Sequence, residues 1–254
     1  MKLATPVIAL SMLLSLASAA PVGAAVYKQE RTPAGALEQV WLPGFGVGRV
    51  FQPLVMPAAD PAYANPSGDH TVAVLTNNAT ALGGIAACAT DPGPYSDYRW
   101  EGWFFTGAGD TRRGLILRAD PNAGAGFETF YQFVINPGLF QVRFRKFVLS
   151  TPAPDLASWT TNTLPGGVPT ANSWHHMAVV AQGNQFRCFF DGTELTTTPI
   201  VDASSPLLTG WVGAYNFSAT VGEVPGYFDD LVLTVDAPVP VRSASWGELK
   251  KRFQ

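Results

Sequence analysis

The sequence predicts an all-β protein built as a two-sheet antiparallel sandwich, and three observations predict it. Apolar and polar residues alternate with period two through most of the chain after Asp97, where helical spacing is almost absent. Turn-forming residues punctuate the apolar runs, drawn from a pool of 25 Gly and 21 Pro. Aromatics reach 12 %, the mixture that many strands joined by turns require.

Taken in chain order, HTVAVLTNN (70–78) is the first clear strand, and residues 41–69 read as irregular with one short strand. YRWEGWFF (98–105) sets Arg99, Glu101, Trp103 and Phe105 against Trp100, Gly102 and Phe104. RGLILRA (113–119) follows a turn-rich GAGDTR, and FETFYQFVIN (127–136) ends at a Pro137-Gly138 turn. In LFQVRFRKF (139–147), Gln141, Arg143 and Arg145 share one face while Val142 and Phe144 share the other. Such alternation marks a sheet wet on one side and packed on the other. Residues 148–172, rich in Pro and Gly, read as a loop crossing a sheet edge or rim. MAVVA (177–181) and QFRCFF (185–190) flank a Gln182-Gly183-Asn184 turn, and Asp191-Gly192 is a strong hairpin signal because both residues tolerate positive φ. TGWVGAYNF (209–217) and GYFDDLVLTV (226–235) complete the set.

The termini read differently. MKLATPVIALSMLLSLASAA has the charged start, apolar middle and small–x–small end (Ala17-Ser18-Ala19) of a secretory signal, too short to span a bilayer. The expected organisation is a signal peptide at 1–20, an N-terminal extension at 21–40, the sandwich at 41–236, a Pro-rich linker at 237–242 and a short basic helix at 243–254. In that helix Ser245 and Glu248 have capping-box spacing, and Trp246, Leu249 and Phe253 form an apolar side. Export predicts a secreted or cell-surface protein and a bridge between the two cysteines, Cys88 and Cys188. Its loop of about 100 residues would contribute ~4–5 kcal/mol in the chain-entropy model. A net charge of −3 with 14 % charged residues points away from nucleic acid, and no later stretch is apolar enough for a membrane span. Asn78-Ala79-Thr80 and Asn216-Phe217-Ser218 are glycosylation sequons.

Trp174-His175-His176-Met177-Ala178-Val179-Val180, a Gly-Asn turn, then Phe189-Phe190-Asp191-Gly192 resembles the signature hairpin of laminin-G-like, concanavalin A-like jelly-roll domains. Gly226-Tyr227-Phe228-Asp229-Asp230-Leu231 resembles their closing strand, and GLILRA followed by FYQFVIN resembles an earlier pair. The resemblance implies a jelly-roll sandwich over residues 41–236 but no single function, because the superfamily holds lectins, glycosidases, lyases and adhesive modules.

Two adjacent histidines in a strand point to opposite faces, so His175 and His176 do not form a metal site and read as structural. Glycan hydrolases of this superfamily commonly carry E-x-D-x-x-E on one strand, and no such spacing occurs here; there is neither a G-x-S-x-G elbow nor a P-loop. Binding is the better candidate, since sugars are held by aromatic faces together with charged or amide groups. The expected carbohydrate-binding set is Glu101, Trp103, Arg118, Tyr131, Arg143 and Arg145. Asp229 and Asp230 mark the place where related sandwiches hold a structural calcium; no other cofactor is implied. The reading is a non-catalytic module for a polysaccharide, glycan or other surface polymer. Its alternatives are a hydrolase or lyase with carboxylates from separate strands, and a purely structural surface domain.

Overall fold

The computed structural model describes residues 25–29, 41–43, 52–76, 83–89, 94–107, 111–120, 128–167, 169–219 and 224–235; side chains are described from 54 onward, outside 83–89. The signal-like stretch, the linker and the C-terminal helix lie outside the described residues. The strands are β1 (Ala25–Gln29), β2 (Trp41–Pro43), β3 (Gln52–Val55), β4 (Thr71–Thr76), β5 (Gly83–Ala89), β6 (Tyr98–Phe105), β7 (Thr111–Ala119) and β8 (Phe130–Asn136). They continue as β9 (Gln141–Val148), β10 (Thr151–Thr160), β11 (Trp174–Gln182), β12 (Gln185–Phe190), β13 (Thr193–Glu194), β14 (Ile200–Val201), β15 (Trp211–Ser218) and β16 (Pro225–Val235). One sheet runs β13-β12-β11-β6-β16-β4-β3, with β1 also paired to β16 and β14 to β12; the other runs β10-β9-β8-β7-β15-β5-β2. All pairings are antiparallel. The protein is therefore a two-sheet, all-β sandwich of jelly-roll type. Among the described residues no helix is long and apolar enough to cross a membrane.

Alternation does what the sequence predicts in β6. Tyr98, Trp100, Gly102 and Phe104 are buried, while Arg99, Glu101 and Trp103 are partly exposed on the outer face. Trp100 is fully enclosed between the sheets and donates its indole N–H to the Gly213 carbonyl of β15 at 2.9 Å. That bond pins β6 over β15 and satisfies a donor that would otherwise be costly to bury. On the other flank, Phe186 of β12 meets Tyr131 of β8 and Phe144 of β9 at centroid distances of 4.6 and 4.9 Å. The β12–β13 connection is the expected primed turn, with φ of 45° at Asp191 and 77° at Gly192.

Three expectations change. Residues 151–160, read as loop, form β10, the edge strand beside β9. Pro152 and Pro154 disguised it, yet an edge strand tolerates proline because one row of its N–H groups needs no partner; bulges interrupt its register beside both. A strand, β1, lies within the segment read as an N-terminal extension.

The expected bridge between Cys88 and Cys188 is not formed: Cys188 is a free, wholly buried thiol, and burial pushes its pKa well up. Topology explains this. Cys188 sits on β12, whose Phe186 packs on Tyr131 of β8 and Phe144 of β9, whereas Cys88 sits on β5, beyond β7 and β15. Three strand steps from β8 to β5 are about 14 Å, against a Cα separation below ~7 Å that a disulfide allows. The Asn216 sequon is likewise closed to modification in the folded chain. Its amide is buried and donates to the carbonyls of Leu75 at 2.6 Å and Val224 at 2.8 Å.

Candidate functional site

The six residues grouped by sequence do not share a face. Glu101 and Trp103 stand on the outer face of the first sheet. Arg143 and Arg145, on β9, face out from the second sheet, on the opposite side of the molecule. Arg145 is also buried: it donates to Gln132 Oε1 at 3.0 Å and lies over the Phe147 ring at 4.8 Å, and desolvation lowers its pKa. Arg143 pairs with Asp155 at 4.0 Å.

Arg118 and Tyr131 lie between the sheets, out of reach of a surface ligand. Arg118 is 0 % exposed and donates to the carbonyls of Gly183, Leu207 and Ser96. Tyr131 donates to Asp202 Oδ2 at 2.6 Å and accepts from the Leu207 N–H at 3.0 Å, and burial first, then the Asp202 bond, raises its pKa. Lys146 closes this interior network at 3.2 Å from the same Asp202 oxygen. These groups hold the sandwich together.

Around Trp103 a different set converges. Because β11 pairs with β6 in the register His176↔Trp103 and Trp174↔Phe105, Trp174 and His176 emerge on the same outer face as Trp103. The His176 and Trp103 rings meet edge to face at 5.0 Å. β12 pairs with β11 from Met177 onward, Asp191 still donates its N–H to the His176 carbonyl at 2.8 Å, and the turn at Gly192 then carries the chain away, leaving a gap beside Trp174. That gap opens a cleft of ≈ 580 Å³ lined by Trp103, Trp174, His175, His176, Asp191 and Gly192.

The two histidines play separate parts. His175 is buried and stacked on Phe190 at 5.1 Å, with Nδ1 at 2.7 Å from Asp191 Oδ2 and Nε2 at 3.0 Å from Ser173 Oγ. It is structural, as the alternation argument predicted. His176 opens onto the cleft, with Nε2 3.4 Å from Glu101 Oε2. Burial lowers its pKa and Arg99 adds to this, while Glu101 opposes. Asp191 fixes both: besides its contact with His175, its Oδ1 accepts the His176 backbone N–H at 2.8 Å. Sequence reasoning read His176 as structural along with His175, and the structure changes that by setting it at the cleft; Trp174 and Asp191 were read only as parts of the hairpin. The signal was present in the alternation of β11, but using it required knowing that β11 lies beside β6.

Further along the face, Arg99 donates to both oxygens of Glu101 at 2.9 and 2.8 Å and lies over Phe189 at 5.0 Å. On the β16 side of Trp103, residues 57–70 fold over the sheet, where Met56, Ala62 and Tyr63 pack in one apolar cluster with Phe105, Trp174 and Tyr227. This segment is anchored where Ser67 donates its N–H to Asp229 Oδ2 at 3.0 Å. As a donor set for calcium, the residues fall short. Asp229 Oδ1 takes the Asp230 N–H at 3.1 Å, and among the described residues no three acidic, His or Cys side chains converge, against the six to eight oxygens calcium requires.

Desolvation raises the Asp229 pKa to about 6, partly offset by Ser67. A carboxyl with a raised folded pKa stabilises the fold fully below its unfolded value near 4 and loses that contribution as pH rises through about 6. The stability of Asp229→Asn relative to the parent is therefore expected to be about 1–2 kcal/mol more favourable at pH 8 than at pH 4, on top of a pH-independent cost because an amide has one acceptor oxygen for the Ser67 and Asp230 N–H groups. Urea unfolding at the two values reads the difference, and a gap between variant and parent that does not move with pH would contradict it.

A family model described as the Concanavalin A-like lectin/glucanases superfamily matches residues 87–237, more than half of the chain, and the protein belongs to that family. Its fold is similar to that of the carbohydrate binding module CBM66 from Bacillus subtilis, at 16 % identity and TM-score 0.54, covering 78 % of this chain and 97 % of that one. A Bacillus subtilis protein of unknown function with a galectin-like fold aligns at 13 % identity and TM-score 0.52, over 83 % of this chain and 96 % of that one. A prokaryotic β-1,3-1,4-glucanase (lichenase) from a mouse hindgut metagenome aligns at 13 % identity and TM-score 0.51, over 85 % and 100 %. No curated protein sequence matches the chain.

Proposed function

We propose that this protein is an exported carbohydrate-binding module that holds a glycan in the cleft beside Trp103 without cleaving it. The observation that carries the reading is the cleft itself: two indoles, Trp103 and Trp174, stand beside the polar groups of His176 and Asp191 in ≈ 580 Å³ open to solvent. An indole covers the apolar face of a sugar ring, while carboxylate and imidazole groups take its hydroxyls. The superfamily's description joins lectins with glucanases, and the fold neighbours include a carbohydrate-binding module and a glucanase. These support a carbohydrate ligand; the choice of binding over cleavage rests on the site. A glycosidase needs two carboxyl groups facing each other across the scissile bond, ~5–9.5 Å apart. Here the two carboxylates beside the cleft are already engaged, Glu101 by Arg99 and His176, and Asp191 by His175 and the His176 backbone N–H. The signal-like N-terminus and the lack of a basic surface signal in the composition fit a module working outside the cell on an extracellular polymer.

Trp103→Ala is expected to weaken binding to a cognate polysaccharide by about 2 kcal/mol, roughly thirtyfold in Kd. The partly exposed position predicts little change in melting temperature. Affinity electrophoresis measures the first effect, and a reducing-end assay on the same mixture is expected to show no release. Steady release of reducing ends would replace this reading with the hydrolase alternative, and binding unchanged in the variant would move the site elsewhere.

A further inference from the structure

The cleft differs in charge from sites that hold acidic sugars. Among the described residues its lining contains no lysine or arginine, and its charged member is Asp191, whose side chain is 44 % exposed. Arg99, on the neighbouring part of the face, is already committed: Glu101 takes its fork through both oxygens and Phe189 covers its plane. His176 is held below the usual imidazole range by burial, so it meets a ligand at neutral pH as an uncharged ring. Recognition of a uronate or sulfate rests on charge-assisted donors, above all an unpaired guanidinium fork. An acidic sugar seated against Trp103 would lose water beside the Asp191 carboxylate with no uncommitted arginine or lysine in compensation, a cost that disfavours it selectively. Hydroxyl groups meet no such penalty, because each can donate to a carboxylate oxygen and accept from an N–H.

We infer that the cleft is specific for an uncharged glycan segment and rejects polyuronates and sulfated glycans. The inference rests on the carbohydrate-binding reading and narrows its ligand class. The test is affinity electrophoresis of the full chain through gels containing mixed-linkage β-glucan, levan or galactomannan on one side, and alginate, polygalacturonate or heparin on the other. Each is run at about 50 and about 500 mM NaCl, since exposed charge–charge attraction is screened across that range. The expected result is retardation by at least one neutral polymer, at least tenfold tighter than by any anionic one, changed less than about twofold by salt and lost in Trp103→Ala of unchanged melting temperature. Binding to an anionic polymer as tightly as to the best neutral one, falling with salt, would overturn the specificity and leave carbohydrate binding intact. Retardation by neither class would remove both.

Discussion

Gly114→Ala is expected to lower the melting temperature by roughly 6–12 °C, about 3 kcal/mol, and to cut the soluble yield. Gly114 sits in β7, opposite Val134 of β8 on one side and Tyr215 of β15 on the other. A Cβ at this position would stand 2.0 Å from the Phe133 carbonyl oxygen and 2.8 Å from the Val134 Cα. Both are backbone atoms of a strand buried along its whole length, so neither moves without separating β7 from β8. Overpacking of this kind costs more than the loss of a contact, because the ladder itself must part. Gly183→Ala is the control: at φ 53° with no atom within 4 Å of the added methyl, it is expected to cost only the ~1 kcal/mol of a left-handed backbone. Thermal unfolding of the two variants beside the parent decides it, and Gly114→Ala within about 1 °C of the parent would contradict the close approach.

What the sequence could show was set by the range over which its signals act. Alternation is local, so β6 and β12 were legible to the residue, and the Asp191-Gly192 turn followed from two positive-φ positions. Assignment to sheets is not local. Glu101 and Arg143 both lie on wet strand faces, yet β6 and β9 belong to different sheets, and no period in the sequence tells one sheet from the other. Composition hid other elements. β10 carries two prolines within an edge strand, and β5, GGIAACA, lacks the bulky alternation that marks a strand. The cleft was half legible. Trp103 was singled out, whereas Trp174, His176 and Asp191 became its neighbours only through the pairing of β11 with β6 and the place where β12 leaves β11.

Arg118→Met is the second large effect, expected to cost about 3–5 kcal/mol and roughly 10–15 °C. By simple alternation Arg118 should stand on the outside, since Leu115 and Leu117 point into the core. A bulge intervenes: Trp211 and Gly213 of β15 face Ala119 and Ile116 of β7, three steps against two, and Arg118 takes φ 48°. An extra residue in one strand re-aims the side chain that follows, so this guanidinium turns inward over Phe186 at 5.1 Å. There it donates to Leu207 O at 2.6 Å and Ser96 O at 2.9 Å, as well as to Gly183 O, tying three connections outside β7 to one rigid fork. Methionine fills much of the same volume and keeps the apolar contact, but it leaves those carbonyls without donors at ~1–3 kcal/mol each where water cannot replace them. Arg118→Lys, with one compact ammonium in place of the fork, is expected to fall between. Binding and stability separate the interior role from a ligand contact. An interior clamp predicts a large fall in unfolding free energy with glycan affinity per folded molecule unchanged, whereas a surface contact predicts weakened affinity at an unaltered melting temperature.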